Sequence, residues 1–179
     1  AQISVSFGVE VPFLRPKHLS EDDSPHVGVI SHAVQWIEEH ENDLFDYIML
    51  LQPTSPLRSA LDIDNAISMM IDQDADAVIS VKPCIDHPSL VKRIVNNKLL
   101  DFVTPEHGYP SRQNLPDLYS LNGAIYIIKT DVFRRSGTLQ PENTLPYVMP
   151  LERSLDIDEP WDIYLADLIL NDINGTGSS

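Results

Sequence analysis

The sequence predicts an α/β domain built on a mainly parallel sheet, and three observations carry that prediction. Apolar runs such as "YIMLL" (47–51) are continuous rather than alternating, as expected of strands covered on both faces. Stretches with helical spacing separate them in the order strand, helix, strand, helix, strand, which favours right-handed crossovers between parallel strands. The chain has 179 residues, 42% of them hydrophobic, which is one domain's length with enough apolar surface for a core.

The elements follow in order. "VEVPFL" (9–14) reads as a short strand. In "SPHVGVISHAVQWIEEH", Ser24 fits an N-cap and Pro25 the first helical position, and Val27, Ile30, Ala33, Val34 and Ile37 share one helical face. After the strand 47–51 comes "SALDIDNAISMMIDQD", which opens on a capping-box pattern, Ser59 with Asp62. "DAVISV" is another strand. Residues 83–120 break the rhythm: "LVKRIV", "NNK" and "LLDFV" form a β-hairpin with an asparagine turn, and a proline-rich loop follows. A hairpin and long loop between two α/β units suggest an insertion with its own task, such as a lid or an oligomer contact. "LNGAIYII" then returns to a buried strand, "TDVFRRSG" is a short helix and "PYVMPLE" a further strand. A helix entered through Pro160 closes the domain, and the tail "NGTGSS" reads as a disordered end.

Charge narrows the function. Twelve Lys and Arg against 27 Asp and Glu give a net −15. Such a surface repels phosphate backbones and anionic lipid, which argues against nucleic-acid and membrane partners. The single cysteine, Cys84, leaves no internal disulfide or Cys-rich zinc site, in keeping with a cytoplasmic location. No stretch reaches the ~18 apolar residues of a membrane span.

Three stretches carry groups suited to chemistry. "LLQPTSPLR" (50–58) leaves a buried strand and turns sharply, at the kind of rim where open α/β sheets bind ligands. It offers the Gln52 amide, the Thr54 and Ser55 hydroxyls and the Arg58 guanidinium, with Pro53 and Pro56 stiffening the turn. A plain polar turn ahead of a capped helix is the competing reading. "RSLDIDEPWD" presents Asp156 and Asp158 on one side of an extended segment. That spacing suits Mg²⁺, which takes one or two protein carboxylates and completes its shell with water and substrate phosphates. Alternatively, Asp158 caps the helix that follows. "PSRQNLPDLYSLNG" supplies Arg112, Gln113, Tyr119 and Asn122, and Arg112 has the fork that clamps a carboxylate. His87 and Arg15 are further polar candidates, each with an ordinary structural alternative. None of the seven glycines forms a phosphate-cradling loop after a strand.

In order, "FGVEVPFLRPKHLSEDD", "LLQPTSPLR", "HP" at 87–88, "RQNLP", "NGAIYI" and "SLDID" resemble the acylneuraminate (CMP-sialic acid synthetase-like) cytidylyltransferases over almost the whole chain. The resemblance implies a Rossmann-like domain of the nucleotide-diphospho-sugar transferase type over 1–174, with 83–120 as an inserted dimerisation element. It also implies transfer of CMP from CTP to the anomeric hydroxyl of an acidic nine-carbon sugar, with Mg²⁺ as cofactor and release of pyrophosphate. Partners would be CTP, the sugar and a second copy of the chain. By the same resemblance Asp156 and Asp158 hold the metal, Gln52 contacts the sugar, Arg112 reaches it across the dimer, and Arg15 helps on the nucleotide side. Two departures stand out. The family's glycine-rich, lysine-containing phosphate loop and first strand precede the region where this sequence starts, so an exposed apolar gap in the sheet is expected. Ser120 and Leu121 stand where sialic acid members often carry Arg-Pro, which leaves sialic, legionaminic and pseudaminic acid types open. The alternative is a non-catalytic, oligomerising or sugar-binding remnant. An enzyme for the eight-carbon acid of lipopolysaccharide is disfavoured by "LQPTSPLR" and "RQNLP".

Overall fold

In a computed structural model, the protein is described for all residues except 22–23, 42–43, 104–112, 114 and 177–179. The elements are α1 (Gln2–Ser6), α2 (His26–His40), β1 (Tyr47–Leu50), α3 (Ala60–Asp72), β2 (Ala77–Pro83), β3 (Lys92–Val95), β4 (Lys98–Asp101), β5 (Tyr119–Lys129), α4 (Thr130–Ser136), β6 (Thr144–Val148) and α5 (Pro160–Thr176).

Four strands form the main sheet in the order β1-β5-β2-β6. β2 runs parallel to β6, whereas β5 runs antiparallel to both β1 and β2. The sheet is therefore mixed, which corrects the expectation of a mainly parallel one. The physical reason lies in the connection. A helical crossover returns the chain to run parallel, and α3 does this between β1 and β2. β5 is reached through the excursion 84–118, which has no crossover helix among its described residues, and it enters between β1 and β2 the other way.

Local signals hold well. Ser59 and Asp62 form the reciprocal capping box of α3. Asn96 and Asn97 take positive φ of 51° and 58° in the β3–β4 turn, the left-handed pair that a two-residue hairpin needs. Gly137 ends α4 in the left-handed conformation. Three expectations need correction. Residues 9–14 are not a strand, because no neighbouring strand pairs with them; Phe13 instead packs on His32 and Trp36 of α2, with ring centroids 5.1 and 5.0 Å apart. Ser24 does not cap α2. Its hydroxyl accepts from Glu21 N–H, and the residue flanking the helix is Pro25. Helix α5 runs to Thr176, beyond the boundary expected at 174.

The sheet buries apolar side chains on both faces. Ala66, Met70, Val78, Ile125, Ile127 and Met149 pack on the α3 side, and Ile30, Ala77, Ile128, Val132 and Phe133 on the α2 and α4 side. That two-sided cover explains why the strands read as continuous apolar runs. Beside β1 the cover is incomplete. β1 is an outer strand, with one apolar hollow of about 380 Å³ between it and α2 and another of about 180 Å³ toward α3.

Candidate active site

The carboxyl ends of β1, β2 and β6 and the first half of β5 share one rim of the sheet. At this rim the β2–β5 register breaks: Ile79 faces Tyr126, but Val81 faces Leu121. Ser80 bridges the bulge. Its hydroxyl donates to Asn122 Oδ1 (2.6 Å) and accepts from Ile125 N–H (2.7 Å). Asn122 is fully buried, and its amide nitrogen donates to Ser154 Oγ (2.9 Å) while its oxygen also accepts Ala124 N–H. This makes Asn122 a brace beneath the rim.

The bulge delivers Gly123 in the left-handed region, at φ +73°. A Cβ there would lie 2.5 Å from Gln52 Oε1, 3.3 Å from Ser55 Oγ and 3.5 Å from Asp156 Oδ2. The two most suggestive sequence stretches therefore meet over one glycine. Gly123 was not singled out from the sequence. Its signal is the Asn-Gly pair inside an otherwise apolar strand, where glycine often marks a bulge or a close approach.

The loop after β1 is held from below. Arg58 Nη1 donates to the carbonyls of Gln52 (3.2 Å) and Ala124 (2.6 Å), and Ser55 Oγ donates to the Asn122 carbonyl (3.2 Å). Burial pushes the Arg58 pKa down. Arg58 and Ser55 thus fasten the loop to β5, and Thr54 contributes its carbonyl, which accepts Ile157 N–H at 2.8 Å. Gln52 presents its amide from this frame, with Nε2 3.3 Å from His26 Nδ1.

The acidic segment is fixed at its start. Arg153 donates to both oxygens of Asp62, and Lys82 Nζ donates to the Ser154 carbonyl (3.2 Å). Two residues further on, Asp156 Oδ1 is buried without a hydrogen-bond partner among the described residues. Burial, and then the charge of Asp156, push the Tyr126 pKa up, so Tyr126 belongs to the same electrostatic neighbourhood. Asp158 is exposed. In the first turn of α5, Asp162 Oδ2 accepts the N–H groups of Asp158 and Glu159 at 3.0 and 2.8 Å. That leaves the Asp158 carboxylate for other work.

No group of three or more potential metal-ligating side chains occurs among the described residues. A two-carboxylate site still fits Mg²⁺, which prefers few protein ligands, and the orphaned Asp156 oxygen is the kind of buried acceptor that a cation satisfies. Arg15, exposed, lines a hollow of about 320 Å³ together with His26, Gln52 and Pro53. His87 and Tyr119 line a different hollow, of about 340 Å³, at the end of β2. Gln113 is exposed, and Arg112 lies outside the described residues.

Known proteins resemble this chain over most of its length. No family model matches the chain. The CMP-N,N'-diacetyllegionaminic acid synthase of Campylobacter jejuni is 31% identical over 173 residues, covering 96% of this chain and 72% of that protein. The chain belongs to the acylneuraminate cytidylyltransferase family. The post-translational flagellin modification protein B of Campylobacter coli is 28% identical, over 97% of this chain and 74% of its own. The N-acylneuraminate cytidylyltransferase of Streptococcus agalactiae is 31% identical over 88% of this chain, which spans only 37% of that longer relative. Among solved structures, the CMP:2-keto-3-deoxy-manno-octonic acid synthetase complexed with CTP superposes with a TM-score of 0.62 at 16% identity, over 96% of this chain and 76% of that one. That match shows the nucleotidyltransferase fold. No helix among the described residues is long and apolar enough to cross a membrane.

Proposed function

We propose that the protein acts as a cytidylyltransferase that activates an acidic nine-carbon sugar, of the sialic, legionaminic or pseudaminic acid type, as its CMP derivative. The observation that carries this reading is the convergence of Gln52, Ser55 and Asp156 on Gly123, with a buried carboxylate oxygen left unpartnered. In the reaction, the anomeric hydroxyl oxygen bonds to the α-phosphorus of CTP, the bond to the bridging oxygen breaks, and pyrophosphate leaves. The hydroxyl proton is lost to a base. Such a displacement depends mostly on positioning and charge neutralisation.

Asp156 and Asp158 would hold Mg²⁺, which when bound supplies positive charge against the triphosphate. Gln52, fixed by the Arg58 brace, would orient the sugar by its amide. Arg15 sits on the shoulder of the same rim, suited to an anionic nucleotide. Local cations thus answer the difficulty posed by a net charge of −15. Assembly as a homodimer, with Arg112 reaching the sugar of a second copy, belongs to the same proposal.

The test is calorimetric titration with CTP, with and without Mg²⁺, followed by pyrophosphate release with a panel of acidic nine-carbon sugars. Mg²⁺-dependent binding that disappears in Asp156→Asn is the expected result. A folded chain that binds no CTP and releases no pyrophosphate would overturn the reading and favour a non-catalytic module.

A further inference from the structure

The carboxyl end of β2 carries a half-buried ammonium with no anion beside it. Lys82, Lys92 and Lys129 are half-buried, whereas Lys17 and Lys98 are exposed. Lys92 pairs with Asp101, and Lys129 with Asp74 and Asp76. Lys82 enters no ion pair among the described residues, and its Nζ donates to the neutral Ser154 carbonyl at 3.2 Å. An ammonium has three N–H donors, so two are left over. Charges drawn out of water usually have a charged partner. In a chain of net −15, a half-buried cation without a carboxylate points to an anion that binds there.

Position selects which anion. Two other cations near the rim are committed: Arg58 holds the carbonyls of Gln52 and Ala124, and Arg153 holds Asp62. Arg15 stands in the hollow between α2 and the end of β1. The strand order β1-β5-β2 puts Lys82 on the opposite flank of the rim, with Gly123 of β5 in between. Adjacent strands lie about 4.8 Å apart, so Gln52 and Lys82 are rooted about 10 Å from each other across the sheet. A nucleotide on the Arg15 side and a sugar at Gln52 leave Lys82 facing the sugar. Mg²⁺ and Arg15 then answer the charge of the triphosphate, and Lys82 answers that of the sugar carboxylate.

We propose that Lys82 binds the carboxylate of the acidic sugar and is a specificity-determining residue for that charge. The inference rests on the function proposed above in taking the ligand to be an acidic nine-carbon sugar. The bond to Ser154, two residues before Asp156, holds the ammonium at the rim in the absence of ligand.

The experiment is calorimetry on the full chain with N-acetylneuraminic, legionaminic and pseudaminic acids, each beside its methyl ester. The ester keeps the ring and its substituents but loses the negative charge. At least one acid should bind about tenfold or more tighter than its ester, the size of one charge-assisted hydrogen bond. Lys82→Met, which keeps the length of the stem, should weaken the acid to the level of the ester and leave the ester unchanged. Lys82→Arg, which keeps the charge, should retain most of the preference. A purely structural role would weaken acid and ester together, and that result overturns the proposal. Equal binding of acid and ester, or no binding of any of the acids, overturns it too. Mg²⁺-dependent CTP binding is followed in the same samples. If Lys82→Met weakens CTP and leaves the acid preference intact, the cation belongs to the triphosphate and the proposal falls. If CTP binds while acids and esters bind alike, the carboxylate site fails and the cytidylyltransferase reading stands. If CTP does not bind but the Lys82-dependent preference remains, the carboxylate site stands and the reading of the enzyme fails.

Discussion

Arg153 holds Asp62 in a two-pronged grip, with Nε 2.9 Å from one carboxylate oxygen and Nη2 2.8 Å from the other. Asp62 is fully buried, while the Arg153 side chain keeps contact with solvent. The pair ties the first turn of α3 to the segment that carries Asp156 three residues later. Ser59 and Tyr147 complete the ring of donors around the carboxylate.

That ring makes Asp62 a pH-dependent clamp. Burial pushes its pKa up, but the hydrogen bonds from Arg153, Ser59 and Tyr147 outweigh it and hold the carboxyl well below the usual range. A depressed folded value means the stabilisation is complete above the ordinary value of 3.8 and is lost as pH falls below it. Asp62→Asn should destabilise the protein by about 2–4 kcal/mol at pH 7, since it removes one side of a buried pair. It should also flatten the acid limb of stability below about pH 4. Urea unfolding at several pH values checks both outcomes.

Asn122→Ala should cost more than its small volume change suggests. It leaves the Ala124 N–H without its side-chain acceptor, while the Ser80 and Ser154 hydroxyls keep their bonds to Ile125 and to the Pro150 carbonyl. One unsatisfied buried group costs about 1–3 kcal/mol, so a loss of about that size is expected. A loss under about 0.5 kcal/mol in thermal or urea unfolding would show that the bulge does not need this amide.

Gly123→Ala separates stability from function. The left-handed backbone disfavours an L side chain by about 1 kcal/mol, and the new methyl would displace the Gln52 amide, the flexible end of its chain. A modest fall in melting temperature should therefore accompany a loss of pyrophosphate release of at least about tenfold. Activity that falls no further than stability would remove Gln52 from the sugar contact.

Asp156→Asn should do the reverse. Its buried, unpartnered oxygen is a cost in the absence of a cation. Neutralising it should leave unfolding free energy unchanged or raise it by about 1 kcal/mol, while Mg²⁺-dependent CTP binding disappears. Strong destabilisation would mean that the carboxylate is structural.

Local chemistry was legible in the sequence because its signals are short-range. The Ser59–Asp62 box and the Asn96-Asn97 turn each involve neighbours within a few residues, and each formed as read. The direction of β5 was not legible, since it depends on which strands the excursion 84–118 allows to meet. The Arg153–Asp62 pair, 91 residues apart, leaves no local trace either. Of the site, Gln52 and Asp156 were found from residue type and position, and the structure brings them together. Asn122 was read as a candidate ligand contact in the stretch "PSRQNLPDLYSLNG". Its partners Ser80 and Ser154 show that such a residue can equally be a brace.

The outer strand β1 has a further consequence for how the protein behaves in solution. Its unpaired main-chain groups and the bare hollows beside it form a template on which another chain can dock. The charge of −15 opposes that encounter by long-range repulsion, whose reach falls from about 30 Å at 10 mM ionic strength to about 8 Å under physiological conditions. Acidity here works as a colloidal shield as well as a surface property, so self-association of the chain should rise with added salt.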